Sequence, residues 1–132
     1  MLKKTFAAAL VAVALTSTAY ADCPAVTTFI KLPDGRFVAQ MNPELAIPVD
    51  VDPATASESE VRSLLFTAVR LKEKDDKDNA RAVCQYEDGK NRPSLAASLV
   101  WKPGKPITPS GLNWKNDQCA TKSGNVGDCP FQ

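Results

Sequence analysis

The sequence predicts a mainly β (or α+β) domain: a small antiparallel β-sheet with one short helical turn and a disulfide-stapled C-terminal loop. Three observations carry this expectation. Several runs alternate apolar and polar residues with period two, the mark of half-buried strands. Clusters of Pro, Gly, Asn and Asp separate those runs at short intervals. Four cysteines and no histidine stand in a chain of 132 residues, an even cysteine count that suits a small exported domain.

The chain opens with residues that read as an address. Met1–Lys4 carries two lysines, Phe6–Leu15 is a run of ten apolar residues, and Ala19-Tyr20-Ala21 has small residues at both ends of the triplet. This is the three-part layout of a secretory signal peptide, assigned to residues 1–21. A ten-residue apolar helix spans about 15 Å, half a bilayer. Cys23 follows Asp22, and a lipoprotein cut needs a small residue immediately before its cysteine. The expectation is therefore a soluble domain over 22–132, exported to the periplasm without stable membrane insertion. Lys3 and Lys4 leave with the leader, so sixteen basic residues fall by two against fifteen acidic ones. The formal charge turns slightly negative, which offers no attraction for nucleic acid.

Ala25–Leu32 is rich in β-branched residues and predicts a first strand. Pro33-Asp34-Gly35 is a turn, and Arg36–Met41 predicts the returning strand of a hairpin. Leu45, Ile47, Val49 and Val51 alternate along Glu44–Val51. Pro48 on the opposite face cannot donate to a ladder, which predicts an edge strand open to partner strand addition. Ser57 and Glu60 have capping-box spacing and predict a helical turn over 57–62. A strand is expected over 64–73, another over Ala80–Glu87 and another over Ser94–Lys102, joined by polar turns into a meander. Prolines and glycines over Pro103–Gly111 argue against regular structure. Leu112–Trp114 predicts a short strand, and Cys119–Gln132 a stapled loop.

Cys23, Cys84, Cys119 and Cys129 allow three pairings. A zinc site of four thiolates would want close cysteine pairs, which these spacings do not provide. The short Gly-containing interval favours Cys119 with Cys129, leaving Cys23 with Cys84.

Without histidine there is no Ser-His-Asp triad, no Cys-His pair and no HExxH metalloprotease. Asp76, Asp78 and Glu87 fall at the first, third and twelfth positions of a calcium loop, but the sixth, where glycine is needed, is Arg81. Residues 70–81 read instead as a solvated hairpin tip. Asp50 and Asp52 lack further ligands before Pro53. Glu58, Glu60, Glu87 and Asp88 are the carboxylates available to a small hydrolase. No cofactor, no metal and no enzyme activity are expected. Trp101, Trp114 and Phe131 are the candidate partner-binding residues, since aromatics concentrate binding energy at interfaces. The stapled 119–129 loop and the Pro-rich 103–111 segment are candidate inserts for an inhibitor of a lysozyme or protease.

Cys23-Pro24, Cys84-Gln85-Tyr86 and Cys129-Pro130-Phe131, behind an export signal, form a layout that resembles the EirA-like proteins. These are small periplasmic proteins of intracellular Gammaproteobacteria, associated with the Dot/Icm type IV secretion system and needed for intracellular replication. The resemblance implies a non-enzymatic periplasmic accessory factor whose partner is an envelope or secretion-system protein. It brings no catalytic residues.

Overall fold

The computed structural model describes residues 21–89 and 95–132. The leader expected over 1–21 lies outside the described residues except for Ala21, as does most of the turn expected over 88–93. Among the described residues, eight strands form one antiparallel sheet. They are β1 (Phe29–Lys31), β2 (Phe37–Asn42), β3 (Leu45–Asp52), β4 (Leu65–Lys72), β5 (Arg81–Glu87), β6 (Ala96–Trp101), β7 (Trp114–Lys115) and β8 (Gln118–Ala120), with one short helix, α1 (Glu58–Arg62). Across the sheet the order is β1-β2-β3-β6-β5-β4-β8-β7. The expected mainly β class, the short helical turn and the stapled C-terminal loop are all present.

Alternation decides what each strand buries. Ile47, Val49 and Val51 on β3, Ala97 and Leu99 on β6, and Ala82, Cys84 and Tyr86 on β5 all turn to one side and form the core. Asp50, Asp52, Gln85 and Glu87 turn to the other side and are exposed. The sheet curls strongly. The Phe29 ring on β1 meets Tyr86 on β5 edge-on at 4.9 Å, although three strands lie between them in the sheet order. Cys23–Cys84 closes the same curl covalently. A short three-stranded patch completes the cover: Phe131 is bridged to Ala21 on one side and Pro109 on the other.

Two expectations are corrected. The first half of the predicted strand 25–32 is a 3₁₀ turn, Val26–Thr28, and β1 keeps only three residues. The predicted edge strand over 44–51 is an inner strand, paired with β2 through Leu45–Val49 and with β6 through Val49–Asp52. The hydrogen-bond phase explains how Pro48 is tolerated. The Lys31 N–H and the Phe29 carbonyl point away from β2, so Ile30 and its opposite Val38 are the residues bonded across β1–β2. Pro48, opposite Val38, therefore turns its nitrogen towards the β6 side. The β3–β6 pairing stops at Val49–Leu99, so Pro48 falls at the end of that ladder and not within it.

The sheet edge at β1 is closed by α1. Ser57 accepts from the Glu60 N–H while the Glu60 carboxylate accepts from the Ser57 N–H, the expected capping box. The helix so placed sends the Glu58 carboxylate to the Lys31 N–H at 2.8 Å and the Arg62 Nε to the Phe29 carbonyl at 3.0 Å. These side chains occupy the groups a partner strand would pair with.

Tyr86 is fully buried between Phe29 and Phe66 and donates its hydroxyl to the Pro24 carbonyl. Burial pushes the phenol well above the ordinary tyrosine value near 10. The folded protein thus keeps a proton that the unfolded chain releases. This contribution to stability is whole below about pH 10 and is lost as pH rises beyond it. Tyr86→Phe should flatten that alkaline loss, at a cost of about 1 kcal/mol at neutral pH for the unpaired Pro24 carbonyl. Urea unfolding across the alkaline range is the measurement, and an unchanged slope in the variant would contradict the assignment.

Candidate functional site

The three aromatics singled out from the sequence come together, and they pack against one another. The Phe131 ring lies 5.4 Å from Trp101 and 6.5 Å from Trp114 between centroids. Phe131 is 1% exposed, and both tryptophans are half-buried against the core. The Trp114 Nε1 donates to the Pro130 carbonyl at 2.9 Å, which satisfies the indole inside the protein. Phe131 therefore offers a partner almost no surface, and the cluster serves to seat the tail.

The cysteines pair as Cys23–Cys84 and Cys119–Cys129. Cys119 is on β8, opposite Val69 on one side and Trp114 on the other. Its bridge holds Cys129 and the residues around it against the sheet. Within the staple, the Asp128 carboxylate accepts from the Ser123 and Thr121 hydroxyls at 2.6 and 2.8 Å. Those two bonds hold its carboxyl below the usual range. The loop is braced by its own polar groups.

The expected carboxylates are spread out. Glu58 caps β1 and Glu60 completes the helix cap. Asp76 accepts from the Asp78 and Asn79 N–H groups, a turn that holds its carboxyl below the usual range. Glu87, Asp50 and Asp52 lie on the outer sheet face. Among the described residues no helix is long and apolar enough to cross a membrane.

One residue outside the three aromatics stands out. Leu112 is 99% exposed. The short strand expected over Leu112–Trp114 begins only at Trp114, and Leu112 sits at the tip of the preceding bend. Gly111, at φ +87, makes that bend, in a region where a side chain would strain the backbone. Both flanks of the tip are tied to the same support. The Ser110 N–H donates to the Pro130 carbonyl at 3.1 Å, and Asn113 Nδ2 donates to the Asp128 carbonyl at 2.9 Å. Residues 128–130 are in turn held by Cys129–Cys119. An open hollow of about 430 Å³ runs beside the tip, lined by Asn113, Lys115, Asn116, Gln118 and Ala120. Asn116 and Asp117, both at positive φ, form the tight β7–β8 turn at its rim.

Isolated exposed apolar residues are common on protein surfaces. Leu112 differs in being wholly exposed on a segment with little freedom to fold it away. The sequence signal is an apolar residue enclosed by turn formers, Ser110-Gly111-Leu112-Asn113. Periodicity rewards such a residue with a strand, whereas here it marks a tip. Compared with protein-family models, curated proteins and solved structures, the chain matches none of them.

Proposed function

We propose that this chain is an exported periplasmic, non-enzymatic binding or accessory protein that contacts an envelope protein through Leu112. The observation that carries this reading is the fully exposed Leu112 on a bend bonded at both flanks to the disulfide-held tail. Two disulfides suit an oxidising compartment. The leader-like residues 1–21 and the EirA-like cysteine motifs point to the same place, and to support of a type IV secretion apparatus as the setting.

The physical case is one of preorganisation. Covering a leucine side chain contributes about 1.5–3 kcal/mol, and a loop already held in position loses little entropy on binding. Leu112→Asp should therefore weaken partner capture by roughly tenfold or more while changing folding stability by less than about 0.5 kcal/mol. The test is affinity capture from envelope extracts with the wild-type and Leu112→Asp proteins side by side. Equal recovery of the same partner by both would remove Leu112 from the interface.

A second reading is an inhibitor of a lysozyme or protease, which a rigid apolar tip beside a stapled loop also suits. Inhibition of either enzyme class by the wild-type protein, lost in Leu112→Asp, would favour it over an accessory role.

A further inference from the structure

The outer face of the sheet carries opposite charges at its two ends. Glu87 on β5 and Asp52 on β3 lie in one row across the strands, each opposite Ala96 of β6. At the other end of the same strands Arg81 on β5 lies opposite Lys72 on β4, with Arg70 in the adjoining row. The two rows between them keep the same polarity: Asp50, Ser98 and Gln85 lie towards the acidic end, and Arg70, Val83 and Val100, which is 48% exposed, towards the basic end. The core lies wholly on the opposite side of these strands.

This distribution is complementary to itself. A two-fold axis lying in the face, across the strands and over the row Val49–Leu99–Cys84, reverses the strand direction of a second copy. Glu87 and Arg81 are three residues either side of Cys84. The axis therefore sets Glu87 of each copy over Arg81 of the other, twice. Ser98 meets Val100 and Gln85 meets Val83 in the middle. Facing sheets pack about 10 Å apart, a gap that a glutamate and an arginine reaching towards each other can span. Arg81 already gives one guanidinium nitrogen, Nη1, to Glu73 at 2.7 Å and to the Asn79 carbonyl at 3.1 Å, and the planar group has further donors for a second carboxylate.

We infer that the outer sheet face docks a second copy of this chain, antiparallel and face to face, with reciprocal Glu87–Arg81 pairs at its ends. This goes beyond the Leu112 contact, which it does not require. Like charges brought opposite each other oppose association, so charge reversal reads the contact directly.

The experiment is sedimentation velocity on protein recovered from the periplasm of an expressing cell. Wild type should self-associate with concentration at about 0.01 M salt, where the screening length is roughly 30 Å, and less at about 1 M, where it is roughly 3 Å. Glu87→Lys alone and Arg81→Glu alone should each lower the association constant by roughly tenfold or more. Mixing the two variants should restore association, because each then meets the opposite charge at both ends. Restoration also shows that both variants are folded. Association of the single variants equal to wild type would overturn the proposal, as would a mixture that stays monomeric. A monomeric wild type that instead sediments with anionic phospholipid vesicles, dependent on Arg81, would assign the face to a lipid surface and overturn the second copy.

Discussion

Replacing Cys23 and Cys84 together by alanine should lower the unfolding free energy by about 4 kcal/mol, the larger of the two disulfide effects. The bridge joins residues 61 apart in the chain, and on the chain-entropy model a loop of that length in the unfolded state accounts for about that much. The Cys119–Cys129 bridge spans only 10 residues, for which the same model yields about 3 kcal/mol. A small domain has only about 5–15 kcal/mol in total. The two bridges therefore differ in consequence, and the long one is the more costly to lose. Its position adds to this. Cys23 brings the segment carrying Pro24 against β5, where the Tyr86 hydroxyl finds that carbonyl. Losing the bridge thus also loosens a buried hydrogen bond. Urea unfolding of the two double variants tests the ranking. A smaller loss from the Cys23/Cys84 pair than from the Cys119/Cys129 pair would refute it.

Phe131→Ala should cost about 3–5 kcal/mol, the usual range for truncating a buried phenylalanine. Phe131 touches both tryptophans, and its backbone is paired with Ala21 on one side and Pro109 on the other. Removing the ring leaves a cavity beneath Trp101 and Trp114 at the junction of three chain segments. The two indoles should become more accessible, so emission should shift to the red and acrylamide quenching should rise. Leu112→Ala is the control, a residue of similar character held wholly in solvent, and its stability should change by less than about 0.5 kcal/mol. A loss below about 1 kcal/mol in Phe131→Ala, or unchanged quenching, would mean that the tail is not seated by this ring.

Local chemistry made much of this fold legible. The capping box of Ser57 and Glu60 is a property of four consecutive residues, and it closes as its spacing predicts. The hairpin at Pro33-Asp34-Gly35 is also local: Gly35 takes φ +92, and the Asp34 carboxylate accepts from the Arg36 backbone N–H at 3.0 Å. Strands β4, β5 and β6 follow from alternation, because one face of each meets the core. Pro48 was misleading for an equally physical reason. A proline signals an absent donor, but what that absence costs depends on the phase of the ladder and on where the pairing with the neighbouring strand stops. Neither is written in the residues around it.

The candidate site was less legible. The aromatic residues drew attention because their surface is large, and that same surface is what the core takes first. Trp101, Trp114 and Phe131 are distant in sequence, and their mutual packing exists only once the tail returns beside Pro109. Leu112 reads from the sequence as part of a short strand, because one apolar residue among turn formers carries no mark of its exposure.

By itself the sequence determined the mainly β class, the helix cap, the hairpin turn and which face of each strand is apolar, since all of these rest on neighbours a few residues apart. Tertiary structure alone decided that β3 is an inner strand, that α1 closes the edge at β1, and that Leu112 stands in solvent while Phe131 does not. Those outcomes depend on how a curled sheet brings together segments that are not neighbours in the chain, and no local pattern carries that geometry.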